Sequence, residues 1–232
     1  MIDTGYRNSR LKEKMAGLNI APDDIRYILI THQDSDHTGA LTPDNSGLFR
    51  EAAVCLSELE NSYITGDAKR RMMYGTYVMP KVRINNRKIL LKDGEVLDLG
   101  GIKVECLLCP GHTWGHMVYL IDDSYLFAGD ALWFGADGGY SFIPSFAEDA
   151  ELSKRSLAQL QKTLQERNLH PKIFTSHSGW SGDSDFAFAH IDQVCEVFRK
   201  KPHDSKAPAD GYDEREETAK HRFLKPLKRI WE

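Results

Sequence analysis

The chain has 232 residues, 41% of them hydrophobic and 28% charged, and 30 basic against 34 acidic side chains leave a formal net charge of −4. That suffices for one sizeable α/β domain or two small ones, and it gives no basic footprint for nucleic acid. No apolar run approaches the roughly 18 to 20 residues that cross a bilayer, and no basic and apolar leader follows Met1. The expectation is a cytoplasmic protein that acts on a small molecule and binds neither nucleic acid nor membrane.

In chain order, apolar alternation predicts strands at Tyr27 to Thr31 and Ala53 to Ser57. The stretch from Ser57 to Met79 is polar and aromatic, with Tyr63, Arg70, Arg71, Tyr74 and Tyr77, and reads as an insertion or lid. Strands follow at Lys88 to Leu91, Val96 to Leu99, Ile102 to Leu108, Met117 to Ile121 and Ser124 to Ala128, with turns at Asp93-Gly94, Gly100-Gly101 and Asp122-Asp123. A helix is predicted over Phe146 to Arg167 on the spacing of Leu152, Leu157, Leu160 and Leu164, then a strand at Lys172 to Thr175. A second helix is predicted over Phe186 to Lys200, on Phe186, Ala189, Ile191, Val194 and Phe198. Residues 201–232 form a charged tail whose last stretch, from Lys220, could dock as a terminal helix despite Pro226. The mixture is α+β or layered α/β. Cys55, Cys106, Cys109 and Cys195 are too few for a disulfide framework, and the CxxC of Cys106 and Cys109 lies in an apolar strand with no second pair, so packing explains it.

The chemistry concentrates where an apolar strand runs out, at Thr31-His32-Gln33-Asp34-Ser35-Asp36-His37-Thr38-Gly39-Ala40. Four metal-capable side chains stand within six residues, and imidazole with carboxylate suits zinc, iron or manganese. The bland alternative is a polar loop capped by Asp36, ahead of a helix that Gly39 and Ala40 begin by permitting close backbone approach. Three later segments repeat the pattern: Cys109-Pro110-Gly111-His112, Ala128-Gly129-Asp130 and Thr175-Ser176-His177 each end a strand with a metal-capable residue. His116 fits a supporting role better than ligation. Trp133, Phe134 and Tyr140, just after Asp130, either wall a substrate pocket or belong to the core.

This ordered set resembles the metallo-β-lactamase superfamily, whose pattern is H-x-H-x-D-H, then His after Pro-Gly, then Gly-Asp, then a final His; Ile2-Asp3-Thr4-Gly5 looks like its early D-T-G segment. The resemblance covers residues 1 to about 200. It implies a four-layer αββα sandwich with His32, Asp34 and His112 on one divalent metal, Asp36, His37 and His177 on another, and Asp130 bridging them. Such a pair would activate a water molecule and polarise the electrophile, so no Ser or Cys nucleophile is needed. Asp36 would also accept the proton of that water.

Two features depart from the pattern. Asp34 stands where most relatives carry His, so two divalent ions would be balanced by Asp34, Asp36, Asp130 and one hydroxide, a neutral core with an oxygen-rich first site open to iron or manganese as well as zinc. The same position is acidic in the family's flavodiiron reductases, although no flavodoxin-like module follows here. The D-T-G segment also begins directly after Met1, without the strands that precede it in the family, which predicts an incomplete N-terminal sheet with an edge for a second copy or the tail to cover. The leading expectation is a dinuclear metal-dependent hydrolase of a small ester, thioester, lactone or phosphoester. The alternatives are a di-iron redox or oxygen-handling protein, and a non-catalytic metal- or partner-binding protein with a truncated fold.

Overall fold

Each central strand carries apolar side chains on both faces, so each must be covered twice, and the fold follows from that requirement. The computed structural model of the protein describes residues 1–6, 8–43 and 48–194. Its strands are β1 (Tyr27–Leu29), β2 (Ala53–Ser57), β3 (Arg71–Met72), β4 (Tyr77–Val78), β5 (Lys88–Leu91), β6 (Glu95–Asp98), β7 (Lys103–Leu108), β8 (Met117–Ile121), β9 (Tyr125–Gly129), β10 (Leu132–Phe134), β11 (Gly139–Ser141), β12 (Lys172–Thr175), β13 (Trp180–Ser181) and β14 (His190–Val194). The helices are α1 (Asn8–Gly17), α2 (Ser35–Thr38), α3 (Glu58–Thr65), α4 (Ala150–Glu166) and α5 (Ser184–Ala187).

β1, β2 and β5 make a parallel sheet, and β13-β12-β9-β8-β7-β6 make a larger sheet that is antiparallel except between β12 and β9. Between the two sheets lie Leu29, Cys55, Leu91, Val104, Cys106, Met117 and Tyr119. The opposite faces of the same strands present Ile28, Val54 and Leu56 to Met15 of α1 and Ile64 of α3, and Val118, Leu120, Leu126 and Ala128 to Leu157, Leu160 and Leu164 of α4. The layers are therefore αββα, as the resemblance implies. Asp149 caps α4 by accepting from Leu152 N at 2.8 Å, and burial of its three leucines contributes roughly 1.5 to 3 kcal/mol each.

Several expectations change. The outer edge of β1 is occupied by the chain's own first residues: Ile2 bridges Leu29, Asp3 N donates to Leu29 O at 2.9 Å, and Leu29 N donates to Met1 O at 2.9 Å. Over its described part, residues 186–194, the helix expected over Phe186 to Lys200 is instead the end of the single turn α5 followed by β14, which pairs parallel with β11. Gly139 in β11 admits the close carbonyl of Ala187, and this tertiary pairing overrides the helical spacing. Residues 195–232, which include Cys195 and the expected tail helix, lie outside the described residues. No helix among the described residues is long and apolar enough to cross a membrane.

Candidate metal centre

The segment after β1 supplies four of the expected ligands because its backbone is tightly held. Asp34 O accepts from His37 N at 2.9 Å, which makes Asp34, rather than Asp36, the residue that precedes α2. Gly39 does not begin a longer helix; it opens a 3-10 turn, and a Cβ there would lie 2.4 Å from Tyr6 O, so its close backbone approach is real. Asp3 sits in the left-handed region with φ 47° and accepts from Thr31 N and Thr31 Oγ1, both at 2.8 Å. It also faces His37 Nδ1 at 2.7 Å, so that nitrogen carries a proton and Nε2 is the nitrogen turned toward the site. Thr31 Oγ1 spends its hydrogen on Asp3 and accepts from His32 Nδ1 at 3.0 Å, which leaves His32 Nε2 turned toward the site as well.

The other ligands arrive from the larger sheet, His112 in the turn after β7, Asp130 after β9 and His177 after β12. Asp130 N donates to His116 Nε2 at 3.1 Å, so the lone pair of that nitrogen is spent on the backbone and His116 supports Asp130 rather than offering that nitrogen to a metal. Gly129 has φ 56°, and a Cβ on it would lie 2.7 Å from that same nitrogen.

All seven expected side chains converge in two groups. In the first, His32 Nε2 to His112 Nε2 is 3.2 Å, His112 Nε2 to Asp34 Oδ2 is 3.4 Å and His32 Nε2 to Asp34 Oδ2 is 3.6 Å. In the second, His177 Nε2 lies 3.2 Å from Asp130 Oδ1 and 3.3 Å from Asp36 Oδ2, and His37 Nε2 lies 3.4 Å and 3.8 Å from the same two atoms. Asp130 Oδ2 turns back toward the first group, 3.8 Å from His112 Nε2. Donors about 2.0 to 2.1 Å from a tetrahedral ion stand about 3.3 Å apart, so both groups could hold a metal ion. His37 Nε2 and Asp130 Oδ1 are buried and lack a hydrogen-bond partner, which a cation between them would supply.

The electrostatics agree. Burial opposes ionisation of Asp130, but His177 and His37 outweigh it and hold the carboxyl well below its usual range; His37 and His177 do the same for Asp36. Burial likewise opposes charge on His37, yet Asp130, Asp36 and Asp3 together raise its pKa well above the ordinary imidazole value. Burial and the neighbouring His32 push His112 down to about 4, the neutral form that ligation requires.

Two residues of the site were invisible in the sequence. Arg70, fully buried, forms a bidentate pair with Asp34, Nε to Oδ1 and Nη2 to Oδ2 both at 3.0 Å, and Nη2 also lies 3.3 Å from His112 Nε2. Its other bonds go to Arg71 O at 2.7 Å and Phe146 O at 2.6 Å. Burial opposes ionisation of Asp34, but Arg70 and the two imidazoles hold it well below the carboxylate range. This corrects the neutral-core arithmetic: Arg70 cancels the charge of Asp34, so the first group is no more anionic than a three-imidazole one. Glu60 of α3 is the second residue; it accepts from Gln33 N at 2.8 Å and from Thr113 Oγ1, tying the His32 loop to the His112 loop. Burial pushes its carboxyl up to about 7.

Trp133, Phe134 and Tyr140 take their core reading, as buried residues of the β10–β11 hairpin. Phe142 is the aromatic ring that faces the imidazoles, 5.1 Å from His112 and 6.1 Å from His177. The described cysteines, Cys55, Cys106 and Cys109, also pack: burial pushes the Cys106 and Cys109 thiols up to about 12, far from metal-ligating thiolates.

Known proteins resemble this chain in sequence and fold. The chain is 28% identical over 142 residues to the metallo-beta-lactamase fold-containing protein ST1585 of Sulfurisphaera tokodaii, covering 56% of this chain and 51% of that protein. It is 22% identical over 178 residues to the probable polyketide biosynthesis zinc-dependent hydrolase PksB of Bacillus subtilis, covering 77% and 66%. The chain thus spans half to two thirds of the length of these relatives. Among solved structures, AidC, a dizinc quorum-quenching lactonase bound to a product, superposes with a TM-score of 0.61 at 20% identity over 77% of this chain and 69% of that one, a likeness of fold. The sequence profile described as the metallo-beta-lactamase superfamily matches residues 1–168, and with the layers and the His and Asp groups in place, the chain belongs to that superfamily.

Proposed function

We propose that the chain is a dinuclear metal-dependent hydrolase of a small ester, thioester, lactone or phosphoester. The observation that carries this reading is the pair of donor groups whose edges run from 3.2 to 3.8 Å with one Asp130 oxygen turned to each. His32, Asp34 and His112 would hold the first ion, Asp36, His37 and His177 the second, and Asp130 both. Divalent ions bound there, zinc first and iron or manganese next, would supply Lewis acidity and lower the pKa of water. Asp36, whose side chain is 42% exposed, stands at the open side of the second group, where its carboxylate can take the proton released by an attacking water. Phe142 keeps bulk water from His112 and His177. PksB and AidC, described as a zinc-dependent hydrolase and a dizinc lactonase, support the reading. The redox alternative rested on the acidity of Asp34, which Arg70 neutralises.

The test is turnover of a panel of thioesters, lactones and phosphoesters by metal-loaded protein. Activity should fall by about 100-fold or more in His112→Ala and Asp130→Ala, as expected for removing a ligand rather than an outer partner. No turnover by loaded wild-type protein, or full activity in either variant, overturns the proposal.

A further inference from the structure

The two groups are alike in donors and unlike in what stands behind them. Behind the second, Asp3 Oδ2 lies 2.7 Å from His37 Nδ1, so a third carboxylate joins Asp36 and Asp130 around that position. Behind the first, His32 Nδ1 rests on the neutral hydroxyl of Thr31, and Asp34, the carboxylate that faces this group and not the second, is matched by the Arg70 guanidinium. Asp34 Oδ1 is further committed to Gln33 Nε2 at 2.8 Å, leaving Oδ2 as the oxygen that faces the imidazoles. Arg70 Nη2 lies 3.0 Å from that oxygen and 3.3 Å from His112 Nε2, two of the three donor atoms of the group. By simple triangulation, a cation about 2.1 Å from both donors would lie within about 4 Å of Nη2, whichever side it took. Arg70 cannot relieve the repulsion by losing its proton, and its bonds to Arg71 O and Phe146 O hold it in place among buried side chains, where like charges repel more strongly than in bulk water.

We propose that Arg70 is a built-in counter-charge that makes the two positions unequal: the Asp36, His37, Asp130 and His177 position fills first and tightly, and the His32, Asp34 and His112 position fills second and loosely. This inference rests on the dinuclear reading above. It assigns Arg70 the role of tuning metal affinity without itself touching a metal.

The experiment is calorimetric titration of chelator-stripped protein with zinc, repeated by competition against a chromophoric chelator, reading two dissociation constants. Wild type should show them separated by about 100-fold. His112→Ala should lose the loose step and His177→Ala the tight one. Arg70→Gln should narrow the gap at least tenfold by tightening the loose step, with the tight step unchanged within about threefold. Equal constants in wild type, or a gap unchanged or widened in Arg70→Gln, overturns the inference. Should Arg70→Gln fail to fold, the double variant Asp34→His, Arg70→Gln replaces the charged pair by an uncharged one and should show the same narrowing; an unchanged gap there overturns the inference equally. Two equal steps leave the dinuclear reading standing, whereas no zinc binding at all defeats both.

Discussion

Glu60 is a carboxyl group placed where water does not reach, and its position between Gln33 N and the Thr113 hydroxyl makes it a clamp across two ligand-bearing loops. Burial raises its pKa from 4.5 to about 7 in the folded chain. The sign follows from linkage: a folded-state pKa above the unfolded one gives stability that is fully present below the unfolded value and lost as pH rises through the folded one. Gln at this position cannot ionise. In chelator-stripped protein the melting temperature of Glu60→Gln minus that of wild type should therefore climb between pH 5 and pH 8, by the equivalent of about 1 to 3 kcal/mol. Any fixed cost of turning an amide toward Gln33 N shifts that difference without bending it. A difference that stays flat across the range would show that Glu60 titrates as an ordinary carboxyl.

At the scale of elements, the segment between α3 and β4 is fastened by two side chains, Arg70 through Asp34 and Phe146 O, and Glu148. Glu148 accepts from the Tyr63 hydroxyl, from Trp114 N at 3.1 Å and from Arg71 N at 2.9 Å, joining α3, the turn that carries His112, and β3. Glu148→Ala removes all three bonds while leaving both sheets intact. Hydrogen exchange of peptides covering residues 66–81 should speed up tenfold or more, with the peptides of β7 to β9 unchanged; equal exchange in variant and wild type would show that the segment is held by other contacts. The same segment marks the limit of what the sequence discloses. The long strands and α4 were legible because their apolar periods are strong, and the candidate ligands that converge were legible because each follows a strand end. The two-residue strands β3 and β4 have no period to read, α1 carries only Leu11 and Met15 toward the core, and the β10–β11 hairpin has an aromatic composition that fits loop or strand. Arg70 lies 36 residues from Asp34, in a polar run where nothing distinguishes it from Arg71; only the unmatched charge of Asp34 hints that a cation must meet it.

For the whole molecule, the placement of the centre matters more than any one ligand. His32, Asp34, Asp36 and His37 extend from β1 of the smaller sheet, whereas His112, Asp130 and His177 extend from β7, β9 and β12 of the larger one. Without a cation, Asp3, Asp34, Asp36 and Asp130 crowd one end of the interface between the sheets, offset by Arg70 and by a proton on His37. Metal ions bound there would close the two sheets on each other and relieve that crowding, so binding should appear as global stability. At free metal a thousand times the dissociation constant the gain is about 4 kcal/mol, which for a chain of this size raises the melting temperature by on the order of 10 °C. Thermal melts of stripped and zinc-loaded protein should show that rise. His112→Ala should keep part of it, since it leaves the second group whole, and Asp130→Ala should lose most of it, since Asp130 alone turns an oxygen to each group. A full rise in Asp130→Ala would place the stabilising ion elsewhere on the chain and separate metal binding from the junction of the sheets.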